Sequence, residues 1–494
     1  MAVLNAPVHK TALRGLAWLG IVVLLGFFAW LRLDGVSMEA MVRESVGQRL
    51  LDHCTDGRQA LVGSVWWAPL PTLLRMPFTY LLGTTFPGLP SMFVSVFFGA
   101  ALLWLLNHVL RQWQAGGIRF LLIAMLACQP LFVRQCFDGS STTTNAFLTL
   151  LLTYNLALWI IARKLRALVV LGVGGSCLFL SSMPMALWLL FALGVLALMP
   201  PVPGATLPEK KAVGLLILWP ILYAIGLWAL TNWLILGDGF YFVRLLSPGG
   251  AAATDDMRAL RHAACYWPAA CMLLLLTVAI IRRDPRGVAI GLISLGPAVV
   301  AAALTLTGYL GDPMPVLFTL LPLAILALGY LYRISSPSAA RRRGWVLAAL
   351  TVCALTLAQY RPGAGAFQRI VVPAADAGAR RDYLLSQIRH AIMQNSTKAK
   401  VFVCGYDSYS LLGSAADPLF LPALDFNFYQ AVADYPGYRL YLLVHHPVDG
   451  SAYDSIHWKY PHLFSRGHRN LLYYKDWGDW RLFELVQAPR KERT

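Results

Sequence analysis

The chain has 494 residues, of which 58% are hydrophobic and 13% charged. A soluble domain is nearer half apolar and a quarter charged; this balance, with a mean hydropathy of +0.59, excludes an ordinary water-soluble fold and implies a polytopic membrane protein. The formal charge of +17 would suggest nucleic acid in a soluble protein, but in a membrane chain Lys and Arg mark cytoplasmic loops, so no nucleic-acid partner is expected.

A spanning helix takes roughly 20 apolar residues. By that rule the candidate spans are 12–32, 91–110, 118–134, 143–162, 167–182, 184–199, 212–235, 263–281, 287–308, 314–332 and 344–360, about eleven in all. The pair 167–199 is short and interrupted by Ser181-Ser182-Met183-Pro184, which also allows a re-entrant hairpin. The first span follows Lys10 and Arg14 and is too long for a plain signal peptide.

With the N-terminus inside, every short inside connection is basic. These connections carry Arg111 and Arg119, then Arg163, Lys164 and Arg166, then Lys210 and Lys211, then Arg282, Arg283 and Arg286, and finally Arg333 and Arg341 to Arg343. The outer loops are then 33–90, 135–142, 236–262 and 309–313, and everything after about 361 lies outside.

The first outer loop is unusually rich in charge for its setting. Charged groups at a bilayer face are costly unless they meet water, each other or a ligand. Asp34 and Glu39 stand where the first span ends, with Arg43, Glu44 and Arg58 beyond them. A carboxylate here can serve as general base to a hydroxyl, or can simply decorate a helix that Ser37 caps. Residues 39–51 put Met41, Val42, Val46 and Leu50 near one helical face. That pattern suits a helix on the membrane surface and equally one packed on the spans. Trp66 and Trp67 suit the bilayer interface, and Pro69 and Pro71 open the next helix.

Further along, Arg134 and Asp138 precede the hydroxyl cluster Ser140 to Thr144. Arg134 with the following helix start could take an anion, or could pair with Asp138. Loop 236–262 carries Arg244, Arg258 and Arg261 on the outer side, where Arg can hold a phosphate by paired hydrogen bonds. Asp255-Asp256 is a possible divalent-cation site with no third carboxylate beside it. The eight Cys form no metal spacing; by the expected topology Cys54 and Cys136 would both lie outside and could pair, a question that sequence alone does not decide. The tail histidines, His445, His446, His457, His462 and His468, match no structural zinc pattern.

The tail from 361 changes character. Runs 399–405 and 438–446 read as buried strands, 471–486 as a hairpin around Asp476–Asp479, and 380–394 as a helix. That order suggests a small α/β domain outside the membrane, so the chain divides into 1–360 and 361–494.

These parts resemble the GT-C superfamily of integral-membrane glycosyltransferases, which includes protein mannosyltransferases and lipid A sugar transferases. The resemblance rests on Ser37-Met38-Glu39-Ala40, on Gly63 to Leu70, on Gln129-Pro130-Leu131-Phe132 running into Ser140–Asn145, and on Asn232 to Asp238. It implies a helical bundle with a small extracytoplasmic domain in the cytoplasmic (inner) membrane. It also implies transfer of a sugar from a polyprenyl-phosphate donor to a glycan, lipid or protein acceptor on the outer face. No cofactor is required by that scheme. Where such proteins open the first loop with an acidic pair, the first position here is Met38. The expected base is therefore Glu39, with Asp34 as the alternative. Arg244, Arg258 and Arg261 would meet the donor phosphate, and Arg58, Trp66, Trp67 and Arg134 would line the cleft. Direct attack would invert the anomeric centre, since a retaining scheme needs a second acid beside the first. The rival is a non-catalytic scaffold of the same fold, which Met38 favours. A transporter is disfavoured by the scarcity of ionisable residues in the spans and by the lack of an internal repeat.

Overall fold

The computed structural model describes residues 36–53, 55–62, 68–82, 88–113, 118–127, 129–198, 207–240, 268, 270–306, 314–334, 383, 386–394, 398–403, 419–422, 435–446, 462–478 and 480–486. The spans expected at 12–32 and 344–360 lie outside these residues, as do Asp34, Cys54, Trp66, Trp67, Arg244, Arg258, Arg261 and the Asp255-Asp256 pair.

The membrane part is a helical bundle. Among the described residues four helices are long and apolar enough to cross a bilayer: α4 (Leu89–Gln112), α7 (Thr142–Ala162), α10 (Leu207–Leu236) and α12 (Pro285–Leu306). The span expected at 118–134 is broken. It consists of α5 (Ile118–Ala127) and α6 (Pro130–Phe137), bent by 62°. Pro130 cannot donate to the preceding turn, and Gln129 caps the new helix through its Oε1 on Leu131 N. Shorter apolar helices are α8 (Leu165–Phe179), α9 (Met183–Leu198), α11 (Ala270–Ile281) and α14 (Leu320–Ile334), the last preceded by the single turn α13 (Met314–Leu317).

One continuous core runs through these helices, from Leu102, Leu106 and Leu110 of α4 to Leu150 of α7, Trp188 of α9 and Leu323 to Ala327 of α14. Trp188 is fully buried and donates its indole N–H to the carbonyl of Ile293, which satisfies the one polar atom of that side chain. By contrast, α10 leaves Leu215, Trp219, Leu222, Tyr223, Trp233 and Leu234 exposed. An apolar surface of that extent on a spanning helix is a lipid-facing one. The chain is a multi-pass membrane protein.

Before this bundle come α1 (Met38–Leu51), α2 (Thr55–Val62) and α3 (Pro69–Leu82), all from the first outer loop. After it comes a five-stranded sheet in the order β2-β1-β3-β5-β4. Its strands are β1 (Ala399–Val403), β2 (Phe420–Pro422), β3 (Arg439–His445), β4 (Leu471–Asp476) and β5 (Trp480–Leu485). β1 pairs in parallel with β2 and β3, and β4–β5 is the expected hairpin, antiparallel to β3. The short edge strand β2 has no counterpart in the sequence reading.

The apolar stripe of α1 is used in a way that neither sequence reading foresaw. Val42 and Val46 pack into the core of the sheet with Ile388 and Ile392, Val401, Phe420 and Trp480, and Arg49 Nη2 donates to the carbonyl of Phe420. The helix therefore lies neither on lipid nor solely on the spans. It is clamped between bundle and sheet.

Candidate active site

The cluster of buried charge sits where α1, α3, the start of α4 and the turn after α6 meet. Ser37 caps α1, accepting Ala40 N at 3.2 Å, while its own N–H donates to the carbonyl of Asp138 at 2.7 Å. This fixes the first turn of α1 against residues 138–141. Gly139 is the hinge of that contact. It adopts φ +69°, and a Cβ there would stand 3.0 Å from the Cβ atoms of both Ala40 and Ser91, so only glycine fits.

Glu39 projects from the first turn of α1. Its Oε1 accepts Arg43 Nε at 2.7 Å, one helical turn on, and Ser141 N at 3.2 Å. Arg43 is anchored in turn by donating Nη1 to the carbonyl of Ala68 at 2.8 Å and to Thr72 Oγ1 at 3.1 Å. Arg75, on α3, is 1% exposed and donates Nη2 to the carbonyl of Gly139 at 2.6 Å. Asp138 closes the turn by accepting Ser140 N on Oδ1 at 2.7 Å. Glu44 accepts Gly88 N at 3.0 Å and Ser91 Oγ at 3.4 Å, tying α1 to the entry of α4.

The three carboxylates sit in different fields. For Glu39, burial pushes the pKa up, but the charges of Arg43 and Arg75 and the hydrogen bonds from Ser141 and Arg43 outweigh it and hold the group below its ordinary value. For Asp138, burial prevails over the bonds from Ser140 and lifts the pKa to about 7, with the Glu39 charge adding to the rise. Glu44 is raised to about 7, again chiefly by burial. Arg75 is lowered to about 10 by burial, against the attraction of Glu39. Glu39 keeps 27% of its side chain exposed, while Asp138 keeps 8% and Glu44 4%. Glu39 is the carboxylate most open to a ligand.

Of the residues expected from sequence, Glu39 is in this cluster. Arg134 is exposed on α6 and acts on Asp138 through its charge, with no ion pair between them. Arg58 is exposed on α2 and shares no hydrogen bond with the cluster. Cys136 is a free buried thiol, with Sγ 2.5 Å from where a Cβ on Gly99 would lie. Sequence reading missed the roles of Arg43, Glu44 and Arg75. The signal for Arg43 was its i, i+4 spacing from Glu39; that for Arg75 was a lone cation inside an apolar helix. Among the described residues, no group of three or more His, Cys, Asp or Glu is placed to hold a metal. His445 and His446 lie against the rings of Trp480 and Phe464.

A helical bundle carrying a first-loop helix over one end and a C-terminal sheet beyond it is an architecture already seen among solved membrane proteins. Two crystal structures of ArnT from Cupriavidus metallidurans share the architecture. The one bound to undecaprenyl phosphate matches with a TM-score of 0.52 at 11% identity, over 96% of this chain and 99% of that one. The apo state matches with a TM-score of 0.53 at 10% identity, over 95% and 98%. No family model and no curated protein matches the sequence. At such identities the likeness defines the fold.

Proposed function

We propose that this protein is a membrane glycosyltransferase that moves a sugar from a polyprenyl-phosphate carrier to an acceptor hydroxyl on a glycan, lipid or protein. The carrying observation is the charged cluster around Glu39, set at one end of a fold shared over nearly the whole chain with a protein crystallised with undecaprenyl phosphate. In this reading residues 1–360 form the transfer unit and 361–494 an extracytoplasmic domain. With the basic loops facing the cytoplasm, as the positive-inside rule expects, the cluster would lie on the outer face of the cytoplasmic membrane.

The acceptor hydroxyl gives its proton to Glu39 as its oxygen bonds to the anomeric carbon. The bond from that carbon to the phosphate oxygen breaks, and the polyprenyl phosphate departs with the electron pair. Attack from the face opposite the leaving group inverts the centre. Arg244, Arg258 and Arg261 of loop 236–262 would meet the departing phosphate, where negative charge develops. Arg43 and Ser141 hold the Glu39 carboxylate in one orientation, which reduces the reorganisation that transfer needs.

The test is transfer by the purified protein in nanodiscs, with a panel of labelled polyprenyl-phosphate sugars. Glu39→Gln keeps the shape and removes the base, so the rate should fall by roughly 10²–10⁴-fold. With Glu39 as base the rate should hold across neutral pH and fail only in acid strong enough to protonate a carboxylate held below its ordinary value. An inflection near 7 would instead move the role to Asp138, whose pKa lies there. One observation favours the scaffold alternative: the Glu39 carboxylate is already paired with Arg43, as in a structural ion pair. Absence of transfer across the whole panel with the native protein would make that reading the better one.

A further inference from the structure

The opposite end of the bundle carries a second charged surface that the transfer reaction does not use. Arg163 and Lys164 form the turn between α7 and α8, Arg286 stands in the first turn of α12, and Arg333 in the last turn of α14. All four are exposed. The carboxylate set among them, Asp284, is occupied: its Oδ1 accepts Arg286 N at 3.1 Å and its Oδ2 accepts the Tyr330 hydroxyl at 3.0 Å. Among the described residues Arg163, Arg286 and Arg333 make no ion pair. Partial burial and the nearby Arg286 charge both hold the Arg163 guanidinium below its ordinary value. The fold thus gathers like charges from three helices around the Asp284 carboxylate, which forms an ion pair with none of Arg163, Arg286 and Arg333, so the cluster keeps a net positive charge.

The surroundings decide what would neutralise them. Arg163 lies over the Trp159 ring at 5.2 Å, and Arg119 over Phe120 at 4.5 Å. Trp113 meets Tyr330 edge-on at 5.7 Å. Such rings gather at the headgroup level of a bilayer. Leu165, Ile280 and Ile281, within a few residues of the arginines, are 65%, 58% and 75% exposed. Cations beside exposed aliphatic side chains match a molecule with an anionic head and acyl tails.

We propose that Arg163, Arg286 and Arg333 form a binding site for an anionic phospholipid, with its phosphate among the guanidinium groups and its chains along Leu165, Ile280 and Ile281. Basic pockets between helix ends on this side of a membrane attract such headgroups. The ligand is a resident lipid, distinct from any sugar carrier at the Glu39 end, and the inference stands whether or not the protein transfers sugars.

The experiment is native mass spectrometry of the full-length protein released from detergent, titrated with phosphatidylglycerol or with phosphatidylcholine of the same chain length. Phosphatidylglycerol should bind more tightly, and each of Arg163→Gln and Arg286→Gln should weaken it by about fivefold, leaving phosphatidylcholine unchanged. Lys475→Gln, which removes one exposed charge from the distant hairpin, should leave both lipids unchanged. The proposal is overturned if the native protein shows no preference, if both arginine variants keep it, or if inorganic phosphate alone displaces the lipid at equal concentration. Should either variant fail to fold, loss of the native preference in high salt, with phosphatidylcholine binding retained, supports the site; persistence there overturns it.

Discussion

At the end of the bundle beneath α1, Glu39, Arg43, Arg75 and Asp138 are folded inward and share hydrogen bonds with one another or with the turn at Gly139 to Ser141, while Glu44, also buried, accepts from Gly88 and Ser91 at the entry of α4. At the other end Arg111, Arg163, Arg166, Arg286 and Arg333 stand exposed. Both ends hold charge at a membrane boundary, yet only one of them removes it from water. Burying a charge costs several kcal/mol, so an inward cluster persists where neighbours are fixed to compensate it. An exposed cation asks little of the fold, and its value lies in orientation and in what it attracts. The difference separates an end whose charges are fixed in place by their neighbours from an end whose charges face outward.

Arg75 offers the hardest way to break this contrast. It stands among Glu39, Glu44 and Asp138, and its charge is felt by Glu39 and Glu44. Arg75→Met would leave those carboxylates buried without it and should cost about 3–5 kcal/mol. The loss should be largest at alkaline pH, where all three are ionised, and smaller at pH values where Glu44 and Asp138 take up protons. Thermal unfolding in detergent across pH measures this. A variant as stable as the native protein at high pH would mean that the cluster is not electrostatically closed.

Glu44 sharpens the comparison at a smaller scale. Its folded pKa of about 7 lies above the ordinary carboxylate value, so between those two limits the folded state binds more protons than the unfolded one. Stability from this group is present at low pH and is lost as pH rises through about 7. Glu44→Gln fixes the neutral form and still accepts the Gly88 N–H. It should be more stable than the native protein at alkaline pH by about 1–3 kcal/mol, with the gap closing on acidification. A pH-independent gap would show that the carboxylate is not strained by burial.

Much of this was legible in the chain. Hydropathy located the spans that the described helices occupy, because a bilayer imposes length and apolarity directly. The strands at 399 and 439 and the hairpin at 471–485 were legible because short branched and aromatic runs have few other uses. Ser37 announced its cap for the same local reason. The bend between α5 and α6 was hidden, since the apolar run continues through Pro130. The clamp on α1 was hidden as well: Val42 and Val46 look the same whether lipid, a span or a sheet some 350 residues on covers them. Glu39 could be named from its place in the loop, but its pairing with Ser141 and the approach of Arg75 depend on how Gly139 brings two distant segments together.

Arg166 tests the quiet end. It lies in the first turn of α8 and is exposed, with Arg163 and Lys164 just before it. A cation there faces the positive end of the helix dipole, and its neighbours repel it. Arg166→Gln removes both terms, so stability should change by no more than about 0.5 kcal/mol and should rise slightly at low salt. Added salt screens exposed charges, so the gain should disappear in high salt. The measurement is the same detergent unfolding used for Arg75, at two salt concentrations. A loss above about 1 kcal/mol would mean that Arg166 is built into the fold as Arg75 is, and the contrast between the two ends would fail. A small, salt-sensitive gain would leave the basic end free to be kept for orientation and lipid rather than for packing.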